Sequence, residues 1–218
     1  MSTASLIELV RDDIQKFLRS NDELFFNERD FQMHLALWLK KSANEYDDVE
    51  YYVPYDTLGE EYIWKNELRL DIVVKKAGEY LPVELKYKTK SVQKKLLRFD
   101  EEMVSVLKNQ GAQDLGMYAF WKDVKRIELV RKRFESVKGG LAVFLTNDKA
   151  YKNIPKETSN NYLLSISEGV HSKQKRWQQP QSTCAINNKD FEVEQEYEIK
   201  WRDTEAEGIE LYYCIVAI

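Results

Sequence analysis

NELRLDIVVKKAGEYLPVELKYKTK, residues 66–90, holds two runs of alternating apolar residues with a turn signal at Gly78 between them. The alternation predicts two strands, over 67–75 and 80–86, joined as a hairpin. With a loop of two residues (Ala77 and Gly78) or of four, Leu70 faces Leu85, Ile72 faces Val83 and Val74 faces Leu81. One face of the hairpin is then wholly apolar and packs on a core. A three-residue loop would turn one strand over and break that pairing. Strand side chains alternate with a period of two, so the other face carries Asp71 across from Glu84, with Lys86 further along. Facing Cβ atoms lie about 5 Å apart, close enough for two carboxylates to share one hard cation.

Two facing carboxylates repel each other unless a positive charge joins them. Mg²⁺ or Mn²⁺ would serve, taking oxygen ligands and keeping several waters, one of which becomes nucleophilic. Lys86 is then placed as a point charge that orients or deprotonates the attacking water and stabilises a pentavalent transition state. Read plainly, the same three charges are also what the solvated face of a hairpin carries.

Asp71, followed after a turn by Glu84-Leu85-Lys86, resembles the signature of the PD-(D/E)XK (restriction-endonuclease-like) nuclease superfamily, with Leu70 standing where the name has proline. That family commonly has a glutamate on the helix preceding the hairpin, and Glu28 in FNERDFQMHLALWLKK stands in that place. The similarity runs from about Phe26 to Asn147. It implies an α/β (α+β) fold with a central mixed sheet flanked by helices, in the order helix, three antiparallel strands, helix, strand. It also implies a nuclease in which Asp71 and Glu84, with Glu28 as a third carboxylate, hold the metal and Lys86 is the catalytic charge. The helix after the ExK strand often turns a glutamine or tyrosine towards the site in this family, which makes Gln113 and Tyr118 candidates. The alternative is a member of the same fold that binds nucleic acid or protein without cutting. An acid in the first turn of a helix also suits the helix dipole, so Glu28 has a capping reading beside its ligand reading.

A chain of 218 residues, 43% of them hydrophobic, can bury one substantial core or one core with a small appended unit. The opening MSTASLIELVRDDIQ lacks the basic-then-apolar order of a signal peptide, and the expected location is cytoplasmic. Cys184 and Cys214, on expected late strands, read as reduced buried thiols, and the isolated His34 and His171 argue against zinc. The net charge of −4 speaks against a simple electrostatic DNA binder, but the charge is segregated. Residues 86–98, KYKTKSVQKKLLR, carry basic charges alone, and 122–138 are again rich in lysine and arginine. Lys88, Lys90, Lys94 and Lys95 are therefore expected nucleic-acid contacts, DNA rather than RNA, with the solvated helix face as the plainer reading. Trp177, within HSKQKRWQQPQ, is a further candidate for stacking on a base, or else part of a mobile surface loop. A homodimer would pair two sites for double-strand cleavage.

Apolar spacing predicts a helix over 5–18, stopped by Ser20-Asn21-Asp22, and a second from the N-cap Asn27 to Lys41 that buries Phe31, Leu35, Trp38 and Leu39. Glu28 and Gln32, four apart, both look towards the site. A strand is expected over 49–55, then a loop over 56–65; Tyr51, Tyr52, Tyr55, Tyr62 and Trp64 read mostly as packing aromatics. Glu67 and Arg69 share the face of Asp71. A long helical region follows over 92–133, broken near Asn109-Gln110-Gly111, then an apolar strand over 141–145 and a turn at Thr146-Asn147-Asp148. The division expected is a nuclease-like core over 1–148 and a β-rich extension over 149–218 packed on it. Strands in the extension are placed near 162–166, 183–186, 191–201 and 209–216.

Overall fold

A computed structural model of the chain describes residues 4–55, 58, 62–64 and 68–218. Glu67 lies outside them, as does most of the 56–65 loop. Ser5 begins α1 (Leu6–Ser20), its N–H and hydroxyl both donating to the Glu8 carboxylate at 2.8 Å. Asn27 caps α2 (Glu28–Lys40) by accepting the Asp30 N–H at 2.9 Å. Both helices bury the stripe their periodicity specifies, Val10, Ile14 and Phe17 on α1 and Phe31, Leu35 and Leu39 on α2. Trp38 departs from expectation. It lies one position off the α2 stripe and is exposed, with its ring tilted against Phe17.

The chain then forms β1 (Asp48–Tyr55), β2 (Leu68–Lys76) and β3 (Glu79–Lys88), an antiparallel meander. Ala77 and Gly78 make the two-residue loop between β2 and β3 with φ of 52° and 82°, the doubly left-handed turn that matches strand twist. Ile72 faces Val83 and Val74 faces Leu81 as the alternation requires. Leu70 does not face Leu85. It packs with Leu68, Leu129 and Val130 on the opposite side of the sheet, whereas Leu85 stays with Ile72 and Val83.

From Val92 the structure departs from the expected helix. Residues 92–107 form a second hairpin, β4 (Val92–Arg98) and β5 (Glu101–Leu107), and only then does α3 (Gln113–Arg133) begin. Val92, Leu96, Phe99, Met103 and Val106 are spaced as a helical stripe, which is why the sequence reads as helix. Phe99 and Asp100, however, take φ of 53° and 63°, and Lys95 reaches Glu102 across the ribbon at 3.0 Å. The ribbon's root is buried through Leu96, Val106 and Leu107, while Phe99 at its tip is 100% exposed.

After α3, β6 (Leu141–Thr146) enters parallel to β3, and the sheet is closed by the chain's last two strands, β11 (Trp201–Ala206) and β12 (Ile209–Ala217). The six-stranded order is β1-β2-β3-β6-β12-β11, mixed because of the single parallel pair. Between β6 and β11 lie β7 (Gly169–His171), β8 (Gln174–Lys175), α4 (Thr183–Asn187), β9 (Phe191–Glu192) and β10 (Tyr197–Ile199). Residues 162–164 are a short 3-10 turn and 183–187 a helix rather than strands, and the strand expected over 191–201 is broken into pieces. Cys184 accordingly sits on α4, half-buried, and Cys214 is a buried thiol on β12. α1 and α2 cover one face of the sheet; α3 and the 162–199 segment cover the other.

The second face holds an unusual side chain. Lys175 is fully buried, its amine 3.2 Å from the Trp121 ring centroid and without a hydrogen-bond partner. Burial pushes its pKa down to about 7 against the attraction of Glu128. Between that value and the ordinary 10.5 the unfolded chain holds a proton that the native one has released, so this group makes stability rise with pH across that window. Urea unfolding at pH 7 and pH 9.5 is expected to show that rise in the wild type. Lys175→Met should flatten it and be the more stable protein at pH 7. A second check concerns the β4–β5 turn. Phe99→Asn combined with Asp100→Gly is expected to add about 1 kcal/mol by suiting the left-handed turn. The same pair would cost about that much in a helix.

Candidate active site

The sheet comes apart at Asp71. On the β1 side, Tyr51 pairs with Ile72 and Val53 with Leu70, leaving Tyr52 and Asp71 unmatched between them. Tyr52 takes φ of 59°, a costly conformation for an aromatic residue, and the Asp71 carbonyl accepts instead from the Gln32 side chain at 2.5 Å. On the β3 side the paired register runs no further than Ile72 with Val83, and the Asp71 carboxylate accepts the Leu85 N–H at 2.7 Å. A side chain thus replaces a backbone partner where the two strands diverge. The freed Tyr52 ring lies 4.8 Å from the Arg69 guanidinium and 5.9 Å from that of Arg29.

Glu84 and Lys86 follow on β3, whose alternation turns both towards α3. Glu28, at the start of α2, accepts the Tyr87 N–H at 2.9 Å through Oε2 and lies 3.8 Å from Lys86 Nζ through Oε1. The four residues Glu28, Asp71, Glu84 and Lys86, expected together, are together. Gln32 points at them as its spacing from Glu28 requires.

α3 completes the cluster with residues that the sequence reading missed. Asp123 Oδ2 lies 2.6 Å from Lys86 Nζ, and its Oδ1 accepts from Arg126 Nη1 at 3.1 Å. Arg126 Nη2 donates to the Arg69 carbonyl and stands 3.2 Å from Glu84 Oε1. A signal for Asp123 was present. Gly116, Phe120, Asp123, Ile127 and Val130 form the buried stripe of α3, so an aspartate occupies a core position. No comparable pattern marks Arg126.

The cluster sets the ionisation of its members. Burial pushes the Glu84 carboxyl well above the usual range; Arg126 opposes this, and the nearby Asp123 and Asp71 add to it. Burial also raises Asp71, with Lys86 opposing. For Lys86 burial works downward but is outweighed by Asp123, Glu28, Asp71 and Glu84, which hold the ammonium above its ordinary pKa. Lys86 is therefore a fixed cation rather than a proton acceptor. Lys122 is pushed down, first by burial and then by Arg126.

Gln113 and Tyr118 are turned elsewhere. Gln113 donates to Asp148 at 2.5 Å; Tyr118 donates to the Lys189 carbonyl at 2.9 Å, accepts from Trp64 at 2.9 Å and stacks on Trp177. Trp177 is a core residue, 4% exposed, with its indole N–H on the Asn188 carbonyl, so it is neither on a mobile loop nor free to stack on a base. Lys88 ends β3, two residues beyond Lys86. Lys90 pairs with Asp148 at 2.9 Å, Lys95 with Glu102 at 3.0 Å, and Lys94 lies beside Gly208.

Among the described residues, no three His, Cys, Asp or Glu side chains converge as a metal-binding group. The donor set still fits an ion that needs few protein ligands. Among the described residues both Glu84 carboxylate oxygens are buried without a hydrogen-bond partner, and the Asp71 carboxylate beside them is held by the Leu85 N–H through Oδ2. Mg²⁺ is commonly held by one or two carboxylates, with waters and substrate phosphate completing the shell. Comparison of the chain with protein-family models, curated proteins and solved structures finds no match. Among the described residues no helix is long and apolar enough to cross a membrane.

The Lys86–Asp123 pair can be tested without reference to function. Asp123→Asn is expected to cost about 3 kcal/mol in urea unfolding by stranding a buried ammonium. Adding Lys86→Met should recover part of that loss, and additive losses would show that the pair is not coupled.

Proposed function

We propose that the chain is a metal-dependent nuclease that hydrolyses phosphodiester bonds of DNA in the cytoplasm, with Asp71 and Glu84 holding Mg²⁺ or Mn²⁺ and Glu28 available as a further ligand. The observation that carries this reading is Glu84, a buried carboxylate with both oxygens unbonded among the described residues, set beside Asp71 with Arg126 and Lys86 close by. With the β4–β5 ribbon taken as an insertion between β3 and α3, the element order α2, β1, β2, β3, α3, β6, with β6 parallel to β3, supports a restriction-endonuclease-like core. Bound there, a divalent cation supplies an activated water and neutralises charge on a phosphoryl oxygen. The chain's residues do the rest. The Leu85 N–H fixes the Asp71 carboxylate, Glu28 is held by the Tyr87 N–H, and Lys86 offers an ammonium to charge developing on the phosphorus oxygens. Lys88 and Lys94 extend positive charge from the end of β3 for the flanking phosphates, Lys90 and Lys95 would join them by exchanging Asp148 and Glu102 for phosphate, and a homodimer would supply the second cut of a duplex.

The ion pairs Lys86–Asp123 and Arg126–Glu84 favour a second reading, in which the charges satisfy one another and the fold binds nucleic acid without cutting it. Supercoiled plasmid and labelled single-stranded DNA and RNA, incubated with Mg²⁺, Mn²⁺ or EDTA, separate the two. Products that need metal and fall at least a hundredfold in both Glu84→Ala and Lys86→Ala are expected of the nuclease. Retained nucleic-acid affinity with no metal-dependent products from the folded wild type would mean a binding protein.

A further inference from the structure

Arg126 is hydrogen-bonded to Asp123 and to the Arg69 carbonyl but not to Glu84, the carboxylate it stands beside. Its Nη2 stands 3.2 Å from Glu84 Oε1, an ion-pair distance, yet neither Glu84 oxygen has a hydrogen bond, and the buried Arg126 Nε has no partner either. An arginine and a glutamate built only to stabilise each other would meet as two parallel hydrogen bonds, the geometry that the guanidinium fork favours. Here the fork is directed instead at Asp123 Oδ1, at 3.1 Å, and at the Arg69 carbonyl. The contact with Glu84 is lateral, through charge alone.

We propose that Arg126 and a divalent cation compete for Glu84, and that binding of the cation transfers Arg126 from Glu84 to the substrate's phosphodiester. This rests on the reading of Asp71 and Glu84 as a metal site. The charge balance explains the exchange. Glu28, Asp71, Glu84 and Asp123 are four carboxylates of one cluster, Glu84 and Asp123 buried and Glu28 partly exposed, opposed among the described residues by Lys86 and Arg126 as its firmly charged cations. A dication held by Asp71 and Glu84 would offset their two charges, leaving Lys86 and Arg126 matched by Glu28 and Asp123 and removing the attraction that keeps the guanidinium beside Glu84. Asp123 keeps its hold on both Lys86 and Arg126 throughout, so the two cations are presented together on one carboxylate. A phosphodiester is the ligand chemistry this suits: an anion with two non-bridging oxygens, met by a planar fork and an ammonium. Arg126 is in this account a substrate-contacting residue, and Asp123 is the positioning residue that carries it.

The test uses Mn²⁺ alone as probe, by electron paramagnetic resonance or calorimetry, on the full chain with no nucleic acid present. Arg126→Met removes the competing charge and is expected to bind Mn²⁺ about tenfold more tightly than wild type, while Arg126→Lys, which keeps the charge, should stay within about twofold. A second arm measures binding of a DNA duplex with Ca²⁺ and with EDTA. Ca²⁺ should strengthen DNA binding by the wild type, and Arg126→Met should lose at least fivefold of that gain. Unchanged or weaker Mn²⁺ binding by folded Arg126→Met would overturn the competition and leave the metal site standing. Absence of Mn²⁺ binding in both wild type and Arg126→Met would overturn the metal reading, and this inference with it. If Arg126→Met does not fold, Arg126→Gln carries the same comparison.

Discussion

Asp123 is the carboxylate on which the site depends. It bridges Lys86 and Arg126 from the buried stripe of α3, and without it two largely desolvated cations would lose their nearest counter-charge. Taking charges out of water costs several kcal/mol per ion, and only close opposite charges return it. The cluster therefore has to be assembled whole. β3 brings Glu84 and Lys86, α3 brings Asp123 and Arg126, and α2 brings Glu28 with the Gln32 amide that braces Asp71. Two helices packed on opposite faces of a sheet can reach one point only where the sheet is open, and it is open at Asp71.

That opening has a local cost which the surrounding structure covers. Tyr52 sits at positive φ, and β2 turns over between Leu70 and Ile72, so that the leucine faces α3 and the isoleucine faces α1 and α2. Strain of this kind persists only where neighbours over-determine it. Here the Gln32 amide and the Leu85 N–H fasten Asp71 through its carbonyl and its carboxylate, and the Arg126 guanidinium fastens the Arg69 carbonyl two positions earlier.

The β2–β3 hairpin was legible because three independent rules agree on it: a two-residue turn, period-two burial and cross-strand apolar pairs. The sheet's opening was not, since it comes from α2 and α3 reaching the strand and not from anything within it; this is why the Leu70–Leu85 pairing fails. The β4–β5 ribbon misled for a different reason. Its apolar residues fall at helical spacing, and the decision rests with two left-handed residues, Phe99 and Asp100, neither of them the glycine or asparagine that announces such a turn. Glu84 and Lys86 on β3 could be read from their pattern, and Asp123 could have been. Arg126 could not, because a guanidinium at the edge of a basic helix looks like any solvated charge until the helix is docked. The 149–218 stretch hid its contribution as well: β11 and β12 complete the main sheet from the far end of the chain, a pairing that no local pattern specifies.

Two buried lysines in this protein show what the site's charges accomplish. Lys175 is removed from water altogether and Lys86 for the most part, and desolvation works to lower the pKa of each. Lys175 is opposed chiefly by Glu128, whose own charge is already shared among the Glu194 N–H, the Tyr197 hydroxyl and Lys125, and its pKa falls to about 7. Lys86 faces Asp123 at contact distance with Glu28, Asp71 and Glu84 around it, and its pKa moves the other way. The same side chain is thus tuned towards a neutral amine over an indole ring in one place and fixed as a cation in the other. A group that must give or take protons near neutral pH is not built as Lys86 is built. Its surroundings suit a permanent positive charge next to an anion, so that in the hydrolysis proposed above the proton of an attacking water would have to leave by another route, through solvent or the substrate's own phosphate.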